Sequence, residues 1–595
     1  MSLLRRLTLL VLLLSGGLTT LFVCGLLLLL AASLWQIVPE PLPDRFILTV
    51  DLRDGVAEQP ALAGLPGGGE ISLIHMVLAL EAAADDPRVT GLFAIGGGTQ
   101  LGPAQVDELR EAVLRFRRSG KPTALHAESF ETNGTRGYTL ATAFDEIWMQ
   151  PSGMVAITGF RLEQIFVQGA LAWAGLKGDF ITPNSYKGGA ESLTRSDFSI
   201  LVRINLERFV QSDLAHASGQ IASARRIAPS RLESLIGRAP VIASNANVHN
   251  LVDRLGYRDQ ALGALHRRTD GPQTAAEVET GAAFGTVPTV TLDAYASHLE
   301  ADSEAADIAL IRVVGPIVAG SSGDGLNGTW SGADTIINAL ETAAANDAMR
   351  AIIVRIDSPG GSYSASDAIW HAMRQAARTK PVVVSMADTA ASGGYFIALG
   401  ADHVIANPAT LTGSIGIFAG KIHDDGLGPA LGLTIDGVQA GTNADLWSPA
   451  QAFTLEGRQR ISEFLSQAYD DFTDKLIAAR HIDPEEVRSI ADGRIWTGLD
   501  ARRHGLVDAL GGIHEAMTAA RRLAGLPASG TLRLVDVPPP ATPLQALLSL
   551  LDRGSSPFGL LRAAVLQTLG LPSLPAATQP AGERLLAAPA FRRVG

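Results

Sequence analysis

The most conspicuous pattern in the chain is an uninterrupted apolar stretch near its N-terminus. No charged side chain occurs from residue 7 to residue 39, and this stretch exceeds the roughly 20 residues that a helix needs to cross a bilayer. A secretory signal has a shorter apolar core of about 7–15 residues. We therefore expect residues 1–40 to be an uncleaved transmembrane signal anchor, although Ala31-Ala32-Ser33 leaves cleavage open.

The charges on either side of this stretch predict its orientation. Arg5 and Arg6 precede it, and Glu40 and Asp44 follow it. Basic residues tend to stay on the cytoplasmic side of a membrane. The N-terminus should therefore remain cytoplasmic, and in a two-membrane bacterium the rest of the chain should lie in the periplasm, anchored by one pass through the inner membrane.

Beyond the anchor, short apolar runs alternate with longer amphipathic ones. The runs AIIVRI (351–356) and PVVVSM (381–386) flank ASDAIWHAMRQAART (365–379). Short β-branched runs between helix-length segments are typical of buried parallel strands with crossover helices. The pattern predicts an α/β fold, with long helices near residues 449–480 and 197–218.

The sequence also repeats itself, with four blocks recurring in the same order about 255–262 positions apart. The paired blocks are RFILTV (45–50) with IALIRVV (308–314), DPRVTGLFAIGGG (86–98) with NDAMRAIIVRIDSPGG (346–361), FDEIWMQPSGMVAITGF (144–160) with ADHVIANPATLTGSIGIF (401–418), and LVDRLG (251–256) with LVDALG (506–511). We expect two α/β copies of one domain, at 44–265 and 304–526. A polar linker at 266–303 and a Pro/Ala/Leu-rich extension at 527–595 complete this division.

Composition narrows the function classes. A chain of 595 residues is long enough for two or more domains. Its net charge of -12 disfavours nucleic-acid binding. Cys24 is the single cysteine, so neither an intrachain disulfide nor a cysteine metal cluster can form. We find no metal-binding or nucleotide-binding motif, so the sequence indicates no metal and no cofactor.

Two glycine-rich turns carry the candidate chemistry. DSPGG (357–361) follows a predicted strand, where the backbone N–H of Gly361 could face a bound carbonyl oxygen. ADTAASGGY (387–395) follows the next strand and places Ser392 at a strand-to-helix junction, with the N–H of Gly393 beside it. Ser392 is the candidate nucleophile, and Gly361 and Gly393 are the candidate oxyanion hole. Either motif alone is more often a simple tight turn.

Together with TGSIGIF (412–418), these turns resemble the signal peptide peptidase A (protease IV) family of the Clp protease/crotonase superfamily, in its long tandem-repeat form. The resemblance implies two tandem Clp/crotonase-like α/β domains and a serine peptidase with a Ser/Lys dyad. It further implies that Lys187, in the segment NSYKGGAE (184–191), is the general base and that Ser414 orients it. A lysine base must be held neutral by burial.

The repeat locates the two halves of this dyad in different copies. Aligning Tyr138 with Tyr395 places Thr135 opposite Ser392, and a similar alignment places Lys187 opposite roughly Ala444. The first copy thus lacks the serine and the second lacks the lysine. Ala156 likewise appears where the second copy has Ser414, which is the equivalent position in the paired blocks.

The resemblance implies a membrane-anchored endopeptidase that degrades cleaved signal peptides and other apolar peptides, in contact with inner-membrane lipid and assembled as a homotetramer. Three alternatives stay open. A Ser-His-Asp triad could use His403 or His423, which follow Ser392 in the chain. The chain could instead be a catalytically silent scaffold or quality-control adaptor, or could perform crotonase-type acyl-CoA chemistry, which predicted export disfavours.

Overall fold

The computed structural model describes residues 41–59, 71–270, 288–299, 306–325, 328–528, 531–539 and 592–594. The predicted anchor over residues 1–40 lies outside these ranges. In the part of the chain that is described, no helix combines the length and the apolar composition needed to cross a bilayer.

The first copy is built on a six-stranded parallel sheet. In spatial order its strands are Thr289–Thr291, Phe46–Asp51, Val89–Gly96, Thr123–Ala127, Glu146–Met149 and Arg254–Leu255. The central strands are apolar on both faces, as expected for a parallel sheet that helices cover on both sides. The α/β prediction is confirmed for this copy.

The second copy repeats this order in an eight-stranded sheet. Six strands lie side by side as Ile495–Thr497, Leu411–Gly413, Val382–Ala391, Met349–Ser358, Ala306–Val314 and Leu532–Asp536, while His403–Ala406 pairs with Val382–Ala391 and with Ala509–Leu510. All pairs are parallel except Leu411–Gly413 with Ile495–Thr497. Tandem parallel α/β sheets agree with the predicted fold.

Helices connect and cover the strands of both sheets. Those of the first copy are Leu73–Asp85, Pro103–Arg117, Gly134–Ala141, Gln168–Trp173, Glu191–Thr194, Ile200–Arg225, Pro229–Ile236, Ala243–Val248, Arg258–Asp270 and Leu292–Leu299, with a 3₁₀ turn at Gly188–Ala190. Those of the second are Ala333–Ala345, Tyr363–Ala376, Gly393–Ala398, Leu427–Ala430, Leu455–Arg480, Pro484–Ile490, Gly498–Arg503 and Ile513–Leu523.

Each copy continues past the boundary that the sequence suggested. Thr289–Thr291 and Leu292–Leu299 lie in the expected linker 266–303, and Leu532–Asp536 lies in the expected extension 527–595. Both strands return to pair in parallel with the first strand of their own copy. They are only three and five residues long, too short for a periodic pattern, so the sequence did not reveal them.

Both long helices start later than predicted, and the first-copy helix also ends later. Leu455–Arg480 begins after Thr454, whose side chain accepts a hydrogen bond from the Gly457 N–H. Ile200–Arg225 extends seven residues past the expected end at residue 218, and stops at Arg226 in a left-handed conformation with φ 54°. A side-chain cap and a left-handed residue are the local features that fix these two boundaries.

One of the hydrophobic core clusters spans both copies. Apolar side chains of the second sheet, such as Ile353 and Val383, belong to the same buried cluster as Leu73 and Leu109 of the first copy. Polar side chains also cross the boundary.

Arg355 is fully buried in a central strand of the second sheet, where it contacts two carboxylates of the first copy. Its Nε lies 2.9 Å from Glu58 Oε2, and its Nη2 lies 2.8 Å from Glu108 Oε2. A buried charge network of this kind is sensitive to removal of any one member. It therefore fixes the register between the copies.

Short two-stranded ladders lie outside the main sheets. Leu176–Ile181 pairs antiparallel with Ala419–Asp424, Met154–Val155 with Val241–Ile242, and Arg161–Glu163 with Arg592–Val594, while Ile317–Val318, Gly323–Gly325 and Gly328–Gly332 form a small sheet. The first of these joins the two copies, with Ile181 opposite Ala419. We call it the cross-repeat ladder. It carries the segment that follows residue 181 into the second copy.

Candidate active site

Ser392 lies at the junction between the strand Val382–Ala391 and the helix Gly393–Ala398. Its side chain is fully buried, and its backbone is left-handed, with φ 55° and ψ -115°. Its N–H donates to the Gly413 carbonyl at 2.8 Å. A non-glycine residue rarely adopts this conformation, which is strained and common at functional sites. The predicted strand-to-helix elbow is therefore present.

Glycines let the two candidate turns approach each other closely. Gly360, with φ 99°, has no room for a side chain, since a Cβ there would lie 2.6 Å from the Gly393 nitrogen. A Cβ on Gly393 would lie 3.1 Å from the Gly361 nitrogen. The two turns therefore pack directly against each other beside Ser392, with the Gly361 and Gly393 nitrogens near the contact.

Neither of these N–H groups donates a hydrogen bond to another backbone group within the described ranges. Gly393 is the first residue of its helix, where an N–H has no intrahelical partner. Gly361 bridges to Ile317, but the two hydrogen bonds of that bridge use the Gly360 carbonyl and the Ser362 N–H. The Gly361 N–H is left facing away from Ile317. Two such donors can stabilise an oxyanion.

Lys187 reaches Ser392 from the first copy through the loop that follows the cross-repeat ladder. Its Nζ lies 2.7 Å from Ser392 Oγ, 2.7 Å from the Ser414 carbonyl oxygen and 3.0 Å from Ser414 Oγ. Lys187 is more than 200 residues from both serines in the chain, yet the three predicted side chains form one hydrogen-bonded cluster.

The environment of Lys187 disfavours its charged form. The residue is 4% exposed, and burial lowers the pKa of its amine well below the usual range. Three hydrogen-bond partners surround Nζ, and all of them are neutral oxygens. The amine can therefore be neutral at a pH at which a solvated lysine carries a proton.

Ser414 fixes the far side of the amine. It is buried, and its backbone is also left-handed, with φ 51°. Its N–H donates to the Arg494 carbonyl at 2.6 Å. Because both its carbonyl and its hydroxyl contact Lys187 Nζ, the amine has its position set by Ser414 as well as by Ser392.

The equivalent region of the first copy has a different structure. Tyr138 and Tyr395 are equivalent, since each hydroxyl donates to the carbonyl of the leucine in the repeated LVD block. Thr135 lies inside the helix Gly134–Ala141, and its hydroxyl bonds to both the N–H and the carbonyl of Gly159. The left-handed residue here is Asn133, with φ 49°. The Thr135 hydroxyl is thus already used by the fold.

The histidines considered for a triad have other partners. His403 Nδ1 lies 3.8 Å from Asp508 Oδ2, and His423 Nδ1 bonds to the Asp424 carbonyl. Across the described ranges, neither ring has a recorded hydrogen bond to Ser392. The structure brings Lys187 to the serine and does not bring either histidine there.

Two residues at the site escaped the sequence analysis. Asn184 accepts a hydrogen bond from the Ile417 N–H at 2.9 Å, and Asp492 accepts one from the Ser185 N–H at 2.9 Å. Both contacts cross between the copies. The repeat could have indicated Asp492, because the first copy has Gly237 at the equivalent position, 255 residues earlier.

A pair of acidic residues lies beneath the glycine turns. Asp357 is the first residue of DSPGG, and it accepts a hydrogen bond from the Thr389 N–H at 3.0 Å. Burial, together with the charge of the neighbouring Asp388, raises the pKa of Asp357 to about 8. Asp388 accepts a hydrogen bond from the Ala104 N–H at 2.7 Å, at the start of a first-copy helix.

The sequence profile of peptidase family S49 matches this chain twice, at residues 115–270 and 374–527, and a Clp protease profile matches residues 326–411. The chain belongs to peptidase family S49 and is a serine peptidase. The double match confirms the predicted tandem repeat, and the Clp protease match agrees with the predicted fold.

Several curated proteins are similar over most of their length. "Serine protease SPPA, chloroplastic" of Arabidopsis thaliana is 28% identical over 86% of this chain and 74% of its own. "Protease 4" of Salmonella typhi is 31% identical over 77% of this chain and 73% of its own, and "Protease 4" of Haemophilus influenzae is 30% identical over 78% and 75%. These relatives support the predicted signal peptide peptidase A (protease IV) family.

Proposed function

We propose that this protein is an endopeptidase with a Ser/Lys dyad, in which Ser392 is the nucleophile and Lys187 the general base. The observation that carries the proposal is the 2.7 Å separation of Lys187 Nζ and Ser392 Oγ, with the amine buried among neutral oxygens. The basic atom of a general base must lie within about 2.6–3.2 Å of the heavy atom that carries the proton to be removed. Burial supplies the second requirement, an amine free to accept that proton.

In the first half of the reaction, Ser392 Oγ attacks the peptide carbonyl carbon while its proton passes to Lys187 Nζ. The carbonyl oxygen becomes an oxyanion, which the N–H groups of Gly361 and Gly393 stabilise. The C–N bond then breaks, and the leaving amine takes the proton from the Lys187 ammonium. An acyl-enzyme remains on Ser392.

In the second half, Lys187 takes a proton from a water molecule as that water attacks the ester carbon. The bond to Ser392 Oγ breaks, the serine recovers its proton from Lys187, and the carboxylic acid product leaves. Ser414 holds the amine in line for both proton transfers, since it contacts Nζ through two oxygens. General acid–base help of this kind is typically worth about 10²–10⁴ in rate.

For the substrate, we propose cleaved signal peptides and other apolar peptides at the membrane. The support is the similarity to proteins named Protease 4 and the apolar stretch at residues 7–39. An anchor at residues 1–40 would concentrate membrane-derived peptides near the site. If so, full-length chain should sediment with membranes, and a chain that begins at residue 41 should not.

We also propose the homotetramer that the family resemblance implies. Light scattering of the detergent-solubilised chain would test it.

The test of the dyad uses two probes on the full-length chain: a fluorophosphonate that labels active serines, and a synthetic signal peptide. Ser392→Ala should abolish labelling. Lys187→Ala and Lys187→Arg should each lose at least about a hundredfold in both assays, because arginine stays protonated and cannot act as a base.

Lys121→Ala is the matched control, since the Lys121 amine also donates to two carbonyl oxygens, those of Ala83 and Asp86, far from Ser392 in the fold. It should keep wild-type activity. Wild-type chain that is folded but neither labels nor cleaves would refute the proposal and favour the catalytically silent scaffold. Lys187→Arg activity close to wild type would refute the base role.

A further inference from the structure

We propose that Asp492 is a positioning residue, which holds the lysine loop, residues 184–187, so that the Lys187 amine meets Ser392. This inference rests on the proposed function, because it assumes that Lys187 is the base. Asp492 belongs to the second copy, and the loop that it contacts belongs to the first. The contact is therefore a second connection between the copies, next to the cross-repeat ladder.

Asp492 forms hydrogen bonds with each of the three residues that precede Lys187. Its Oδ1 accepts from the Ser185 N–H at 2.9 Å and from Asn184 Nδ2 at 3.4 Å, and its carbonyl accepts from the Tyr186 N–H at 3.0 Å. The three residues directly before Lys187 thus all bond to one residue. On its other side, the Asp492 N–H donates to the Tyr469 hydroxyl on the long helix, at 3.2 Å.

The two residues after Asp492 complete the clamp. Gly493 has φ 85°, and a Cβ there would lie 2.4 Å from the Lys187 nitrogen, so the backbones pack without space for a side chain. The Arg494 guanidinium lies 3.5 Å from the centre of the Tyr186 ring. The Arg494 carbonyl accepts from the Ser414 N–H. The segment 492–494 therefore fixes the lysine loop and also the serine that receives the lysine.

Comparison of the copies separates this role from fold maintenance. Interactions that the fold needs recur 255 residues apart in both copies. The recurring ion pairs are Arg225 with Asp253 and Arg480 with Asp508. Counting 255 residues back from Asp492 gives Gly237, which directly follows the helix Pro229–Ile236 with φ -65°, whereas Asp492 lies two residues past the matching helix Pro484–Ile490 with φ 60°. The turn after this helix thus differs between the copies, and the carboxylate occurs in the copy that has the serine nucleophile.

The positioning role predicts an effect on proton affinity as well as on rate. The groups that face Nζ are the two oxygens of Ser414 and the hydroxyl of Ser392. The charged side chains that contact the lysine loop are those of Asp492 and Arg494. A loosened loop would admit water to Nζ and raise the pKa of the amine, because burial is what lowers it. Loss of the Asp492 charge alone would act in the opposite direction.

Two substitutions at this position isolate the contact in the full-length chain. Asp492→Gly introduces the first-copy residue, which tolerates the left-handed backbone at φ 60° but removes the carboxylate. Asp492→Asn keeps an Oδ1 acceptor for the Ser185 N–H. The rate of fluorophosphonate labelling is measured across pH, alongside kcat and KM for the synthetic signal peptide.

We expect Asp492→Gly to lower kcat by roughly 10²-fold, the cost of a misplacement of about 1 Å, and to move the acid limb of the labelling profile to higher pH. Asp492→Asn should stay within about tenfold of wild type, as for one weakened hydrogen bond, with its acid limb at or slightly below the wild-type pH because the charge is lost while the contact is kept. Asp508→Asn is the control for a purely structural carboxylate, and it should lower thermal stability without moving the limb.

Three outcomes would overturn the inference. The Asp492→Gly labelling profile could match that of wild type in both rate and pH dependence, or its acid limb could move to lower pH. Alternatively, Asp492→Asn could be as impaired as Asp492→Gly. If Asp492→Gly does not fold, Asn184→Ala tests the same contact from the lysine side and should show the same upward shift. Lys187→Ala run in parallel separates the two proposals. If Lys187→Ala retains activity, the proposed dyad is refuted. If Lys187→Ala is inactive but Asp492→Gly behaves like wild type, only the positioning role is refuted.

Discussion

A charge placed beside Lys187 should control the activity through the protonation of its amine. Ser414 Oγ lies 3.0 Å from Lys187 Nζ in a buried site, so Ser414→Asp puts a carboxylate against the amine. Ser414→Asn has nearly the same shape and no charge. Both substitutions suit the left-handed backbone at φ 51°, because Asp and Asn adopt that region more readily than most residues.

The expected magnitude follows from the distance. Two unit charges about 4 Å apart interact by about 4 kcal/mol at an effective dielectric constant of 20. This energy favours the ammonium form of Lys187. Because about 1.36 kcal/mol corresponds to a factor of ten, the neutral amine should become roughly 10³-fold rarer at a given pH. In the proposed reaction only the neutral amine can accept the serine proton, so the rate should fall by a similar factor relative to Ser414→Asn.

The pH dependence supplies the assay. Labelling by the fluorophosphonate is followed from pH 5 to pH 10 for wild type and both variants, with circular dichroism to verify folding. Ser414→Asp should recover activity as the pH rises, because the amine is again neutral above its raised pKa. Ser414→Asn should lose about tenfold at most, with its limb close to that of wild type. If the two variants share one profile, protonation of Lys187 does not control the rate and the reasoning fails.

Three further predictions concern the scaffold. Arg355→Met should lower the free energy of unfolding by about 3–5 kcal/mol in chemical denaturation, since it leaves two buried carboxylates without a counter-charge; a loss below 1 kcal/mol would contradict this. The Asp357 pKa of about 8 exceeds its unfolded value of about 3.9, so its stabilising contribution is present below pH 4 and lost as pH rises to 8. Asp357→Asn should therefore gain stability relative to wild type as thermal melts proceed from pH 5 to pH 9. Gly393→Ala should lower kcat by about 10²–10³ in a folded chain, because its Cβ would lie 3.1 Å from the Gly361 nitrogen; unchanged hydrolysis of the signal peptide would argue against these two N–H groups being the oxyanion hole.

The repeat made much of the fold and of the site predictable. Strands, crossover helices and the glycine turns are encoded by contiguous residues, so their patterns can be read directly. The pairing of Ser392 with Lys187 was implied by the family resemblance, and the repeat supported it because each copy lacks the residue that the other retains. Such complementary losses are informative even without knowledge of which surfaces touch.

Other features depend on tertiary placement and left no local pattern. The strand Thr289–Thr291 is stabilised by its neighbour Phe46–Asp51 and is too short to show alternation. Asp492 reads as one acidic residue in a polar turn; the repeat shows that the first copy has a glycine there, but the contacts with the lysine loop are what reveal its role. The charge network of Arg355 joins a strand to a loop residue, Glu58, and a helix residue, Glu108, about 250–300 positions away. Periodicity cannot report contacts of this range.

The two copies show how a symmetric scaffold came to hold an asymmetric site. Ser392 and Ser414 both adopt left-handed backbones, each at a cost of order 1–3 kcal/mol. The strain persists because the Gly413 and Arg494 carbonyls, the glycine turns and the lysine loop together determine these conformations. In the first copy no lysine arrives, and Thr135 instead lies inside a regular helix with its hydroxyl satisfied. The two left-handed serines thus lie in the copy that receives the lysine, whereas the ion pairs and tyrosine contacts that maintain the fold occur in both. The lysine loop, Ser414 and the strained turn at Ser392 therefore form one structural unit. Loss of the contacts that residues 492–494 make with this loop should lower the activity before it lowers the stability of the fold.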